Sequence, residues 1–166
     1  MFKYPIINFR DIRKQVLLGC SVGFGFVFLN ILNPSIAIGF PTLPFANNME
    51  KYGVVSIIAP IFEEVAFRYV LLLIMIGLFA YLMFKIPAIV NSISAFSQAT
   101  VFSLFHFVAY GASLSAMNAS FIGAGLFGIM CAYLSIANNF SIIAPVLAHM
   151  IFNTFLVSKY VIAFAT

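Results

Sequence analysis

Two adjacent carboxylates and a guanidinium, Glu63, Glu64 and Arg68 in EEVAFR, lie inside a long apolar run, and the chain's two histidines, His106 and His149, lie inside two others. Ionisable groups within a membrane span are costly to keep away from water and mark a functional site by default. Residues four apart share one helix face. Three such pairs therefore carry the chemistry: Glu64 with Arg68, Phe102 with His106, and His149 with Asn153. With the acid N-terminal to the base, Arg68 is placed to neutralise Glu64. Glu63 is turned away by about 100° around the helix, which leaves it without a local partner and suits it to act as a general base. The plainer structural reading puts both acids in one buried ion-pair network that staples helices. A single buried histidine is more often a satisfied core residue than a ligand. Two of them, beside an acid pair and with Asn153 one turn beyond the second, have few partners other than one another, and buried polar groups need partners.

The elements that must position these residues follow from composition. Of 166 residues, 64% are hydrophobic and 7% charged, against about a quarter charged in soluble domains, so an integral membrane protein is expected. No Asp, Glu, Lys or Arg occurs between Gln15 and Met49 or between Ile86 and Ser158, which leaves room for repeated apolar runs of ~20 residues. Alternating strands are absent, so the expected fold is all-α: a polytopic transmembrane bundle of about five helical elements. Lys3, Arg10, Arg13 and Lys14 precede the first run. They place the N-terminus on the cytoplasmic side and do not form a nucleic-acid footprint. Cys20 and Cys131 are isolated in apolar segments, which speaks against a disulfide framework or a zinc ribbon.

In chain order, residues 1–14 form a cytoplasmic segment. Residues 15–51 hold an uncleaved anchor span, from about Val16 to Ile38, and a polar loop with Pro34, Pro41, Pro44, Asn47, Asn48, Glu50 and Lys51. Gly19 and Gly23 in the anchor would let another helix approach closely. The block from Tyr52 to Phe84 is too long for one untilted span, and Pro60 offers a break. As the first residue of a helix it would set Glu63 and Glu64 near the positive end of the dipole. Lys85, Pro87 and Asn91 mark the next boundary, and a third helix runs to Val108. After Tyr110 and Gly111, a fourth runs from Leu114 to Ile136, and Asn138 and Asn139 turn the chain into a last helix from Ile142 to Ile162. Gly123 to Gly128 reads GAGLFG, which fits a dinucleotide fingerprint in letters only. No βαβ unit surrounds it, and close helix packing is the better reading.

The order E-E-x-x-x-R, F-x-x-x-H, H-x-x-x-N, each on its own membrane helix, resembles the CPBP family of CAAX prenyl endopeptidases and bacteriocin-processing enzymes. The resemblance covers about Ala59 to Phe155 and includes APIFEEVAFR and NNFSIIAPVLAHMIFN. It implies a catalytic helix bundle over residues 52–166 and peptide-bond hydrolysis within the membrane. Glu63 would activate water with His106 beside it, His149 and Asn153 would stabilise the tetrahedral oxyanion, and Glu64, Arg68 and Phe102 would support the site. The implied substrate is a hydrophobic or lipidated peptide or membrane protein. Where relatives carry a small residue after the arginine, this chain has Tyr69, which narrows the space for substrate. Its short N-terminal part implies, by the same resemblance, that helices lining the cavity in longer relatives are either missing here or supplied by another subunit, as an oligomer or partner helices.

Two histidines and a glutamate would also serve as zinc ligands with water in the fourth position, so Glu63, His106 and His149 are the alternative metal set. No H-E-x-x-H occurs, and His149 with Asn153 has the look of an oxyanion clamp, so metal-free water activation is favoured. Asp11 is the only aspartate and precedes the first span, which excludes a two-aspartate mechanism. Ser103 and His106 lack an orienting acid for serine chemistry, and no G-x-S-x-G occurs. Two other function classes compete: a catalytically silent, immunity-type member that binds a membrane partner, and a transporter or proton relay through Glu63, His106 and His149.

Overall fold

The computed structural model describes residues 7, 9, 11–33, 52–82, 86–109, 112 and 117–163. Its long elements are the helices α1 (Ile12–Leu32), α2 (Val54–Leu82), α3 (Pro87–Ala109), α4 (Ala119–Ala137) and α5 (Ile143–Ala163), with no strand among the described residues. The first four are long and apolar enough to cross a membrane, and α5 holds a shorter apolar stretch, Ile143–Ser158. This is the expected all-α bundle of five helices, as lipid demands of a chain whose backbone must satisfy itself. The polar loop from Pro34 to Lys51, and Lys3, Arg10, Lys85, Tyr110, Gly111, Leu114 and the Lys159 side chain, lie outside the described residues.

Two expectations about boundaries are corrected. The first helix begins at Ile12 rather than near Val16, so Arg13 and Lys14 lie in its first turns. More consequentially, Pro60 does not start a helix. Ile58 and Ala59 before it are helical and α2 runs through it, so Glu63 and Glu64 are not at a dipole end. A proline inside a helix lacks one N–H and its ring collides with the carbonyl of the preceding turn. Wide π-type turns over Val54–Ile58 relieve that collision, with the Ala59 N–H reaching back to the Val54 carbonyl. Further wide turns occupy Val65–Leu71 and Asn118–Ala124, the latter running from just before α4 into its start.

Glycine lets α1 seat against α5. A Cβ on Gly19 would stand 2.6 Å from the Ala144 carbonyl oxygen, and one on Gly23 would stand 2.9 Å from that of Ala148. Close packing also accounts for GAGLFG on α4: a Cβ on Gly125 would meet Ser103 Oγ at 2.9 Å, and one on Gly128 would meet the Ala99 Cβ at 3.2 Å. Phe26, Phe102, Phe127, Cys131, Ala148 and Phe152 belong to the main buried cluster, where the Phe26 and Phe127 rings meet edge to face at 5.0 Å. The turn into α5 is made by Asn138, whose Nδ2 donates to the Leu134 carbonyl at 2.7 Å, and by Asn139, whose φ of 55° asparagine tolerates better than most residues.

Candidate active site

Helices α2, α3 and α5 each bring one of the three spaced pairs to a common centre. On α2, Glu64 and Arg68 are completely buried, with Arg68 Nε 3.1 Å from Glu64 Oε2. The carboxylate has a second partner that its own helix could not reveal: the His149 Nδ1–H, across from α5, donates to Glu64 Oε1 at 2.8 Å. Arg68 is held on its other side by an aromatic face, with its guanidinium carbon 4.2 Å from the centre of the Phe102 ring. Cations over ring faces are attracted by the negative π surface, more strongly once desolvated. Phe102 also packs against His106 in a tilted contact, with ring centres 4.2 Å apart and planes at 53°.

His106 on α3 donates its Nδ1–H to the carbonyl of Phe102 at 2.9 Å. Because both Nδ1 protons are committed elsewhere, both imidazoles present Nε2 to the same atom. His106 Nε2 and His149 Nε2 each lie 3.7 Å from Glu63 Oε2. That is beyond hydrogen-bond reach, and Glu63 Oε2 is buried with no hydrogen-bond partner among the described residues. A buried carboxylate oxygen without a partner is costly. A small polar species such as a water, seated between Glu63 and the imidazoles, would satisfy that oxygen. Glu63 is the more exposed of the two acids, its side chain 22% accessible against none for Glu64.

Asn153, one turn beyond His149, donates its Nδ2 to the Val55 carbonyl on α2 at 3.0 Å. An amide nitrogen carries two protons, so one remains for other use. His106, His149 and Asn153 all line one cavity, whose other lining groups are apolar and include Phe127, Phe152 and Leu156. About 30 Å³ of it is open to water centres, enough for a water or two at ~10–15 Å³ each. Phe127 meets His149 edge to face at 5.0 Å.

All seven residues expected from the sequence are thus brought together. Ser103 is not part of the centre, since its Oγ donates to the Ala99 carbonyl at 2.8 Å. Two participants had been missed. Phe127 lies on α4, within the glycine-rich stretch read as packing. The other is the backbone oxygen of Val55, which no side-chain motif could signal and which Pro60 hints at only indirectly. Tyr69 is half-buried and packs against a second cluster that includes Leu72, Leu73 and Ala132.

The comparison with curated proteins and that with solved structures give no match. A family model described as type II CAAX prenyl endopeptidase Rce1-like does match, over residues 45–155. That stretch is more than half of the chain and holds Glu63, Glu64, Arg68, Phe102, His106, His149 and Asn153 together. The chain belongs to the Rce1-like family of type II CAAX prenyl endopeptidases, membrane-embedded proteases.

Proposed function

We propose that this protein is an intramembrane endopeptidase that cleaves a hydrophobic or lipidated peptide with water activated by Glu63 and His106. The observation that carries the reading is the orphaned Glu63 Oε2, 3.7 Å from two imidazole nitrogens. A water bonded there loses its proton to Glu63 as its oxygen attacks the scissile carbonyl. His106, whose Nδ1–H is fixed on the Phe102 carbonyl, orients that water through Nε2. The negative charge leaves the carboxylate and reappears on the carbonyl oxygen, where the second Asn153 N–H and His149 meet it. His149 does so as an imidazolium already protonated on Nε2 before the water attacks, and Glu64 balances that charge through Nδ1. Glu63 finally returns its proton to the leaving amine, as a base that becomes an acid. Donors held ready for a developing oxyanion are typically worth ~2.7–4 kcal/mol each.

The test compares wild type with Glu63→Gln on membrane peptides, read by mass spectrometry. Glutamine keeps the shape and removes the base, so cleavage should fall by a factor of ~10²–10⁴ while the fold is retained. Equal cleavage by the variant would end the reading. Protection or binding of a membrane partner that survives Glu63→Gln would instead favour the silent, immunity-type role.

A second reading has an observation in its favour. With both Nδ1 protons committed, neutral His106 and His149 would turn Nε2 lone pairs toward Glu63. This is the protonation pattern of zinc-ligating imidazoles, whose other nitrogen commonly donates to a carboxylate or backbone carbonyl. The 3.7 Å separations from Glu63 Oε2 are wider than the ~3.3–3.4 Å between ligands of a tetrahedral zinc, and no group of three His, Cys, Asp or Glu among the described residues is set to hold a metal ion. Bound there, zinc would supply Lewis acidity and an acidified water. Full activity after rigorous chelation supports the metal-free version, and loss that zinc restores supports the other.

A further inference from the structure

We infer that Pro60 is a positioning residue for the oxyanion site: by withholding an N–H from α2, it reserves the Val55 carbonyl for Asn153. The hydrogen-bond pattern around Pro60 carries this. At the end of the wide turns of Val54–Ile58 the Ala59 N–H reaches back five residues and bonds the Val54 carbonyl. The next N–H in that pattern would belong to residue 60 and would bond Val55. Proline has none. The Val55 carbonyl is therefore left open in a buried place, and Asn153 Nδ2 fills it at 3.0 Å. Pro60 and Val55 are both buried, so the carbonyl is not readily served by solvent.

The consequence runs to α5. One Asn153 proton is tied to α2, which fixes the amide plane and leaves the second proton in a set direction. Asn153 and His149 line the same cavity, so fixing one amide plane sets the geometry of the pair. An alanine at position 60 would supply the missing N–H, let it compete for Val55, and free the Asn153 side chain to rotate. Pro60 touches no substrate in this account; it acts through Asn153. The inference rests on the proposed role of Asn153 as an oxyanion donor.

The test is a double-mutant cycle on peptide cleavage with Pro60→Ala, Asn153→Ala and the double variant, beside thermal unfolding in detergent. Pro60→Ala should lower kcat about tenfold with little change in KM, short of the ~10²–10³-fold typical for outright loss of an oxyanion donor. In the Asn153→Ala background the same change should have no further effect. It should also hold or raise Tm, because it restores a helix hydrogen bond. Unaltered kcat, an equal loss in both backgrounds, or a Pro60→Ala chain that fails to fold would each overturn the inference. Should wild type cleave no peptide, the proposed function fails separately and the side-chain amide signals of Asn153 decide, in asparagine-labelled protein studied by NMR. They move in Pro60→Ala if the inference holds, and unchanged signals refute it.

Discussion

At the scale of single residues, Glu64 is better described by what it joins than by the ion pair alone. It accepts from His149 on one oxygen and faces Arg68 on the other, with no exposure to solvent. Removing it as Glu64→Ala strands a buried guanidinium and a buried imidazole N–H. Loss of one partner from a buried pair typically costs ~3–5 kcal/mol, so the variant should unfold at markedly lower denaturant in detergent micelles. Glu64→Gln keeps an acceptor for His149 and should unfold later than Glu64→Ala, yet lose most activity because the charge balancing the imidazolium is gone. Equal stability of wild type and Glu64→Ala would show that Arg68 and His149 find other partners. Ser103 supplies a contrast one helical turn from His106. Its hydroxyl is committed to the Ala99 carbonyl, so Ser103→Ala should keep near-wild-type kcat in the peptide assay, and a large loss would reopen serine chemistry.

At the scale of elements, α5 carries two of the site residues, and α1 is what presses on its back. Gly23 lies against Ala148, the residue before His149, and Gly19 lies one turn away against Ala144. Since the atoms a new Cβ would strike include backbone oxygens at 2.6 and 2.9 Å, neither helix has a flexible side chain end to move aside. Overpacking of this kind costs ~1–3 kcal/mol. Gly19→Ala and Gly23→Ala should therefore lower stability, and Gly23→Ala should lower activity as well by shifting His149. Gly25 on the same helix has nothing within 4 Å of a built Cβ, and alanine there should be neutral or gain up to ~1 kcal/mol from helix propensity. Thermal unfolding of the three variants side by side checks this ordering. If Gly25→Ala proved as harmful as Gly23→Ala, the α1 contact with α5 would not be the cause.

For the whole molecule, the bilayer is the solvent that gives the bundle its outside. Leu17, Phe24, Phe28, Phe62, Phe96 and Val108 are exposed on the helices, as expected of surfaces that meet acyl chains rather than water. Within that medium ionisable groups turn inward, away from the acyl chains. Glu63, Glu64 and Arg68 lie on α2, with the two imidazoles brought to them from α3 and α5. Lys3 and Arg10 before the first span, with Arg13 and Lys14 in its first turns, are the basis for proposing a cytoplasmic N-terminus. Cysteine introduced at Asp11 should then be labelled by an impermeant maleimide only after the cytoplasmic side is opened. Labelling in intact cells would invert the topology.

Much of this was legible from the chain alone. Composition and charge-free runs required a membrane bundle, because lipid leaves the backbone no partner but itself. Spacing by four paired Glu64 with Arg68, Phe102 with His106 and His149 with Asn153, because one helical face is a local property. What spacing could not settle was every contact between helices. That Glu64 serves His149 as well as Arg68, that both imidazoles turn Nε2 toward Glu63, and that Asn153 reaches the Val55 carbonyl all depend on how α2, α3 and α5 are set against each other. Pro60 shows the boundary between the two kinds of knowledge. Its missing N–H is written in the sequence and suggested a helix start; the wide turns before it, and tertiary packing that brings an amide from another helix to the freed carbonyl, let α2 continue through it.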